Sequence, residues 1–352
     1  MYATRVRDLL GGSVASTVLT ISRAALVGVA VLFAGLRLAG RTPSLPTQAA
    51  IYLVGMVALN LPHGGYEHFA NLRRRAHEFR YRYVVGYLAM AAAFAGLFLL
   101  APVAGLALAV TVAVLKGGGG DLYVLRATTG TSHLRSRPQR LLAVAARGGA
   151  VMAVPIVAFP GTFRAFGAMM VAMVDPGALA PAASHFDTTR WLVGGGYGAV
   201  VLAHLGWGFH TRTGDGAWLA DAAETLLLVA YFTVVPVVVA VGLYFPLWYS
   251  LRQVARELAV EAPALDGPDL LGGDAASAGA VALRAWGVLV AGALATAAVA
   301  VGFSLALPNP LPTGSLYYDG VAFWSVFISV VALPHVVVGA VLDRDRGIWH
   351  VP

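Results

Sequence analysis

Pro62-His63-Gly64-Gly65-Tyr66-Glu67-His68 sets two imidazoles and a carboxylate within six residues of one another. Those side chains can hold a divalent metal ion or carry a proton. The stretch follows an apolar run that ends at Leu61, and Pro62 with Gly64-Gly65 frees backbone there, as happens where a site is built at membrane depth. Ionisable groups in lipid are costly and mark sites. The plainer alternative is a pair of histidines at a wet interface, bonded to water or lipid phosphate. Cysteine is absent, which excludes disulfides, thiolate metal sites and cysteine nucleophiles. A metal would be held by His, Asp or Glu, a set that favours iron, manganese or zinc over soft copper.

Other chemistry-bearing residues lie further along. Val114-Leu115-Lys116-Gly117-Gly118-Gly119-Gly120-Asp121 contains the sole lysine and four consecutive glycines. Glycine inside a helix costs about 1 kcal/mol relative to Ala, so the run makes sense if a bulky ligand or a second helix approaches the backbone. The alternative is a helix-to-loop transition with Lys116 reaching for the interface. His204 and His210 flank Trp207, and a separation of six puts the two imidazoles about 120° apart on a helix. His204 is the deeper of the two and His210 the more interfacial. Tyr244-Phe245-Pro246-Leu247-Trp248-Tyr249-Ser250-Leu251-Arg252-Gln253 is densely aromatic, and Tyr249 and Gln253 share a face. Phe245, Trp248 and Tyr249 suit a hydrophobic ligand, or equally an interfacial aromatic anchor. His335, after Pro334, is a mid-span imidazole that requires a partner.

The elements that position these groups follow from composition. Of 352 residues, 59% are hydrophobic and 12% charged, with mean hydropathy +0.75. Soluble domains carry about 25% charged residues, so lipid is the natural solvent. The expected fold is an all-α polytopic bundle of eight or nine spans in one domain. Candidate spans are 17–39, 48–64, 82–101, 103–124, 140–159, 189–210, 222–248, 281–306 and 320–341, with a shorter re-entrant or interfacial run at 161–174. Ala101-Pro102 divides the third from the fourth. No cleavable signal segment is expected, and 257–280 reads as a flexible acidic connector. Net charge is +7, which a membrane protein places in cytoplasmic loops, so nucleic acid is an unnecessary partner. Arg73, Arg74, Arg75, Arg80 and Arg82, and then Arg126, Arg135, Arg137 and Arg140, predict cytoplasmic loops and a cytoplasmic N-terminus in the cell membrane. Trp191, Trp207, Trp248 and Trp324 fall near span ends, as an aromatic belt would.

Taken in order, these segments resemble the Brp/Blh family of bacterial and archaeal β-carotene 15,15′-dioxygenases. Pro62–His68 is similar to the family's Pro-His-Gly-x-x-Asp-His, with Glu67 in the Asp place. Gly118 and Asp121 match His-Trp-Gly-x-x-Asp. Tyr244–Gln253 matches a third motif that ends Trp-His-Ser-x-Arg-His, and Leu333-Pro334-His335 is family-like. The resemblance implies a polytopic iron enzyme that splits carotene into two retinals, its Fe²⁺ held by four histidines. Of those positions His63 alone keeps histidine; Lys116, Tyr249 and Gln253 occupy the others. Two readings follow. In one, Fe²⁺ is bound by a rearranged set drawn from His63, His68, His204, His210 and His335, with Glu67 and Asp121 as the catalytic carboxylates. In the other there is no metal. The chain binds carotenoid or retinal, with Lys116 able to form a Schiff base with retinal and Asp121 or Glu67 as counter-ion, and it supports a retinal-binding opsin.

Overall fold

The computed structural model describes residues 2–60, 81–259 and 278–337. Those residues form helices and connections, with no strand among them. In chain order the helices are α1 (Tyr2–Leu38), α2 (Leu45–Leu53), α3 (Tyr81–Leu100), α4 (Pro102–Thr128), α5 (Arg137–Ala158), α6 (Pro160–Ala172), the short α7 (Ala180–Ala183), α8 (Phe186–Thr211), α9 (Asp215–Val234), α10 (Val237–Tyr244), α11 (Leu251–Ala259), α12 (Ala278–Ala306) and α13 (Leu316–Val337). Two π-helical turns extend this set, Val54–Leu59 after α2 and Phe245–Ser250 between α10 and α11.

Among the described residues, seven helical segments are long and apolar enough to cross a bilayer, and Leu45–Leu59, Val85–Leu100 and Val290–Ala306 are shorter apolar helices. The protein is therefore a polytopic helical membrane protein. The apolar run 222–248 is two helices rather than one. Pro236 lacks an N–H and forces its predecessor out of the helical region; Val235 sits at ψ 128° and Pro236 at ψ 134°. The first of the two begins at Asp215, earlier than apolar periodicity suggested, because Asp221 and Glu224 are interior residues of it. The break between α3 and α4 falls at Ala101-Pro102 as expected, with Pro102 in the first turn of α4. The 161–174 run is the 13-residue α6, short for a crossing. Residues 260–277 of the expected connector lie outside the described residues.

The glycine run settles as a helix crossing. Residues 117–121 are all buried inside α4. A Cβ on Gly118 would strike the carbonyl oxygen of Val144, and one on Gly148 would strike that of Val114. Each helix thus lends the other a notch, and α4 and α5 pack backbone against backbone, the use that small residues serve in membranes. A similar approach joins α2 to α10: a Cβ on Gly55 would meet the Gly242 carbonyl, and one on Gly242 would lie 2.5 Å from Tyr52 Cα.

Helices α10 and α11 act as one rod. Pro246, inside that rod, supplies no backbone N–H, and the helix widens into its π turn there. This rod lies against α2, α4 and α1, with α1 also touching α9.

Replacing Gly148 with Val should destabilise the bundle by at least the 1–3 kcal/mol typical of overpacking, because backbone rather than a mobile side chain must yield. Thermal denaturation in detergent, followed by size-exclusion chromatography, should show a lower midpoint and less monodisperse protein. An unchanged midpoint would contradict the close crossing.

Candidate functional site

Two features meet in the middle of the bundle, a buried ion network and an apolar cavity. The network is built on Arg147 of α5, whose guanidinium touches three carboxylates. Its Nε donates to Asp121 Oδ2 at 2.8 Å, Nη1 to Asp221 Oδ1 at 2.7 Å and Nη2 to Glu224 Oε2 at 2.7 Å. Arg252 of α11 donates from Nε to Asp121 Oδ1 at 2.6 Å, and its Nη1 and Nη2 pair with the two oxygens of Glu224 at 2.8 Å each. Arg23 of α1 reaches Glu224 Oε1 from Nε at 2.8 Å. Three cations therefore face three anions. Every member except Arg23, whose side chain is 35% exposed, is buried. Guanidinium forks suit this task, since their planar donors match carboxylate geometry.

Local structure aims the partners. Asp221 and Glu224 are three apart on α9 and so share a face. Trp248 adds an indole N–H to Asp121 Oδ2 at 3.2 Å and packs its ring 4.3 Å from the Arg252 guanidinium carbon. Asp221 Oδ2 also receives His133 Nε2 at 2.8 Å and lies 3.2 Å from His204 Nε2. His133 sits on the α4–α5 connection. A capping box of Ser136 and Gln139 starts α5, and Gln139 Nε2 then donates to the His133 carbonyl and to Thr211 Oγ1, pinning the connection against α8.

The cavity lies beside this network and has about 150 Å³ of room for the centre of a water-sized sphere. Its wall includes Leu106, Val110 and Ala113 of α4, Phe163 and Phe166 of α6, Val241 of α10, Phe245 of the π turn and Ile328 of α13. Its few hydroxyls are Tyr52, Thr162, Ser325 and Ser329. The Tyr52 and Ser325 hydroxyls lie 2.7 Å apart, and Ser329 donates to the Ser325 carbonyl. Where α4 leaves the cavity, it meets the aromatic rod. Phe245 is edge-on to Tyr249 at 6.1 Å between centroids, and Lys116 Nζ stands 5.3 Å from the Tyr249 ring centroid. A Cβ on Gly120 would lie 2.7 Å from Tyr249 Cε2 and 2.8 Å from Gln253 Nε2. Lys116, Tyr249 and Gln253, distant in sequence, thus form one corner.

The remaining candidates are distributed as follows. Phe245 lines the cavity, whereas Trp248 is fully buried in the ion network instead of standing in an aromatic belt. Trp207 is 43% exposed on α8, away from the cavity wall. His204 points inward to Asp221, while His210 is exposed and contacts the Phe209 ring. Asp121 already uses both oxygens on Arg147 and Arg252. His63, Glu67 and His68 lie outside the described residues, as does the side chain of His335. Asn60, three positions before His63, accepts from Ser250 Oγ at 2.9 Å, so the α2 end reaches the π turn that carries Tyr249.

The chain matches the family model described as beta-carotene 15,15′-dioxygenase over residues 54–343. The chain belongs to that family. Its relatives named probable beta-carotene 15,15′-dioxygenase Brp, from two strains of Halobacterium salinarum, are 54% identical over 338 residues, covering 95% of this chain and 94% of theirs. The relative named probable beta-carotene 15,15′-dioxygenase Blh from that organism is 35% identical, with 94% of this chain and 95% of its own covered. No solved structure matches. This is the Brp/Blh family that the motifs resemble.

The iron implied by the family does not fit the described residues. Among them, no three His, Asp or Glu side chains are arranged to hold a metal ion. The corner at the expected position offers an ammonium, a phenol and an amide. An ammonium repels Fe²⁺, and the amide is a weak ligand.

Motif and spacing do not single out Arg23, Arg147, Asp221, Glu224 or His133. Their signal was present: each of the four carboxylate- or guanidinium-bearing residues is an ionisable side chain inside an apolar run, and such residues seek one another.

Replacing Arg147 with Met should strip countercharge from three buried carboxylates at once and cost about 3–5 kcal/mol. Replacing Asp187, which is 82% exposed in its pair with Arg190, with Ala should cost at most about 1 kcal/mol. Thermal midpoints of the two variants, measured side by side in detergent, should differ accordingly. Equal midpoints would refute the network's importance.

Proposed function

We propose that this protein takes a carotenoid from the bilayer and converts it to retinal, the activity for which its family is named. The observation that carries this is the apolar cavity walled by Leu106, Val110 and Ala113 of α4, with Phe245 of its wall edge-on to Tyr249 of the neighbouring corner. A carotene has no polar handle, so only shape and dispersion can align it, and this wall of Val, Leu, Ile and Phe supplies both. Cleaving the central double bond with one O₂ places one oxygen atom on each of two aldehydes. The described residues do not fit an iron centre, and no oxidative step is assigned to them. The arginine-rich stretches 73–82 and 126–140 support a cytoplasmic N-terminus. Retinal released into the bilayer would pass to a retinal-binding opsin.

A second reading is favoured by the corner of Lys116, Tyr249 and Gln253, an ammonium, a phenol and an amide at the expected ligand positions: a chain that has lost cleavage and keeps the polyene chamber. In it, Lys116 condenses with retinal. The amine nitrogen attacks the aldehyde carbon, the carbonyl oxygen departs as water, and a C=N bond remains. Asp121 is neutralised by Arg147 and Arg252, so the charge of a protonated imine would be compensated by another group.

Expression in carotene-producing cells separates the readings. Loss of orange colour with appearance of retinal, together with iron in the purified protein, is the outcome expected of the cleaving enzyme. Colour that persists and copurifies indicates the binder, and colour that persists without copurifying defeats both. For the imine, borohydride reduction after adding retinal should fix a polyene on the Lys116 peptide and leave Lys116→Arg unlabelled.

A further inference from the structure

We infer that the corner beyond the cavity is a subsite for a carbonyl oxygen, with the Gln253 amide as its donor. The inference rests on the reading that a carotenoid-derived polyene fills the cavity. Arg256 Nε donates to Gln253 Oε1 at 3.0 Å, and an arginine has no lone pair to offer, so this bond fixes which end of the amide points where. Gln253 Nε2 is thereby turned toward α4. The residue is only 2% exposed, and Nε2 has no acceptor among the described residues. The Tyr244 hydroxyl is in the same position, fully buried and without a described partner. A bare donor in apolar surroundings is costly, and two on one face point to an acceptor that arrives from elsewhere.

That face follows the cavity wall along α4. Leu106, Val110 and Ala113 line the cavity, and the same 4-then-3 spacing continues to Gly117 and Gly120. A Cβ on Gly117 would stand 3.1 Å from the Tyr244 oxygen, and one on Gly120 would stand 2.8 Å from Gln253 Nε2. The glycines therefore let both donors lie directly against the α4 backbone. On the opposite wall, Val241 and Phe245 line the cavity, and Tyr249 follows with its ring edge-on to Phe245. From Leu106 to Gly120 the helix axis runs about 21 Å at 1.5 Å per residue, a length comparable to an extended polyene with its oxygen at the far end. Two neutral donors suit a neutral acceptor with two lone pairs, and the Lys116 ammonium over Tyr249 adds a favourable potential for the oxygen end of a carbonyl dipole. The ligand class is a long polyene aldehyde or ketone, with hydrocarbon tail in the cavity and oxygen at Gln253.

The test uses the full chain in lipid nanodiscs and two probes. One is the methyl ketone analogue of retinal, which keeps the acceptor and condenses slowly with amines. The other is the matching polyene in which methyl replaces the carbonyl group. Quenching of tryptophan fluorescence gives both affinities. The ketone should bind about tenfold more tightly than the hydrocarbon, equivalent to about 1.4 kcal/mol. Gln253→Leu should erase that preference, and Gln253→Glu, which keeps volume and lacks the donor, should do likewise. The carbonyl stretch of the bound ketone should lie at lower wavenumber in the natural protein than in either variant. No preference in the natural protein, or equal weakening of both probes by the substitutions, overturns the subsite and leaves the polyene cavity standing. Failure of the natural protein to bind either probe overturns the cavity reading along with it.

Discussion

A carboxylate withdrawn from water into a medium of low polarity is tolerable only where countercharge and hydrogen-bond donors already surround it. Asp121, Asp221 and Glu224 meet that demand through Arg147 and Arg252, with Arg23 closing the set from α1. The consequence for the fold is large. Six helices, α1, α4, α5, α8, α9 and α11, contribute to one charge-balanced knot if His204 is included. Apolar packing inside lipid is weakly directional, since a leucine gains little by exchanging an acyl chain for another leucine. Ion pairs of fixed geometry supply direction. The knot decides how α4 faces the α10–α11 rod, and hence where Lys116, Tyr249 and Gln253 stand.

The knot and the cavity divide the labour of the same elements. Along α4, Leu106 to Ala113 serve the greasy chamber, Lys116 to Gly120 the corner, and Asp121 the ions. The rod repeats the sequence with Phe245, then Tyr249 and Gln253, with Trp248 and Arg252 turned to the ions. Apolar, mildly polar and fully charged zones thus succeed one another along both elements. A long ligand with one oxygenated end matches that gradient better than a symmetric hydrocarbon does.

Much of the architecture could be read from the amino acids. Apolar run length gave the helices, Ala101-Pro102 gave a break, and the glycine run announced a close approach to α4. The division at Val235-Pro236 was hidden because valine-rich sequence on both sides keeps hydropathy high across the break. The corner of Lys116, Tyr249 and Gln253 was legible through motif positions. The ion network was not, because hydropathy treats an in-span arginine as noise and the pairing partners lie up to 201 positions apart. Matching opposite charges within and beside the apolar runs names Arg23, Arg147 and Arg252 with Asp121, Asp221 and Glu224, three of each sign. His133 would still have escaped, since its placement depends on the Ser136 cap.

The π turn at Phe245–Ser250 carries an implication for how this rod can change over time. One surplus residue is wound into the helix there, between the part that lines the chamber and the part that carries Arg252. Deleting a single residue would swing everything downstream by about 100°. Tyr249, Gln253 and Arg252 would lose their partners in the same stroke. Length is therefore frozen across this segment while residue identity stays adjustable, so new ligand preferences can arise by exchange of side chains at fixed stations but hardly by insertion or loss.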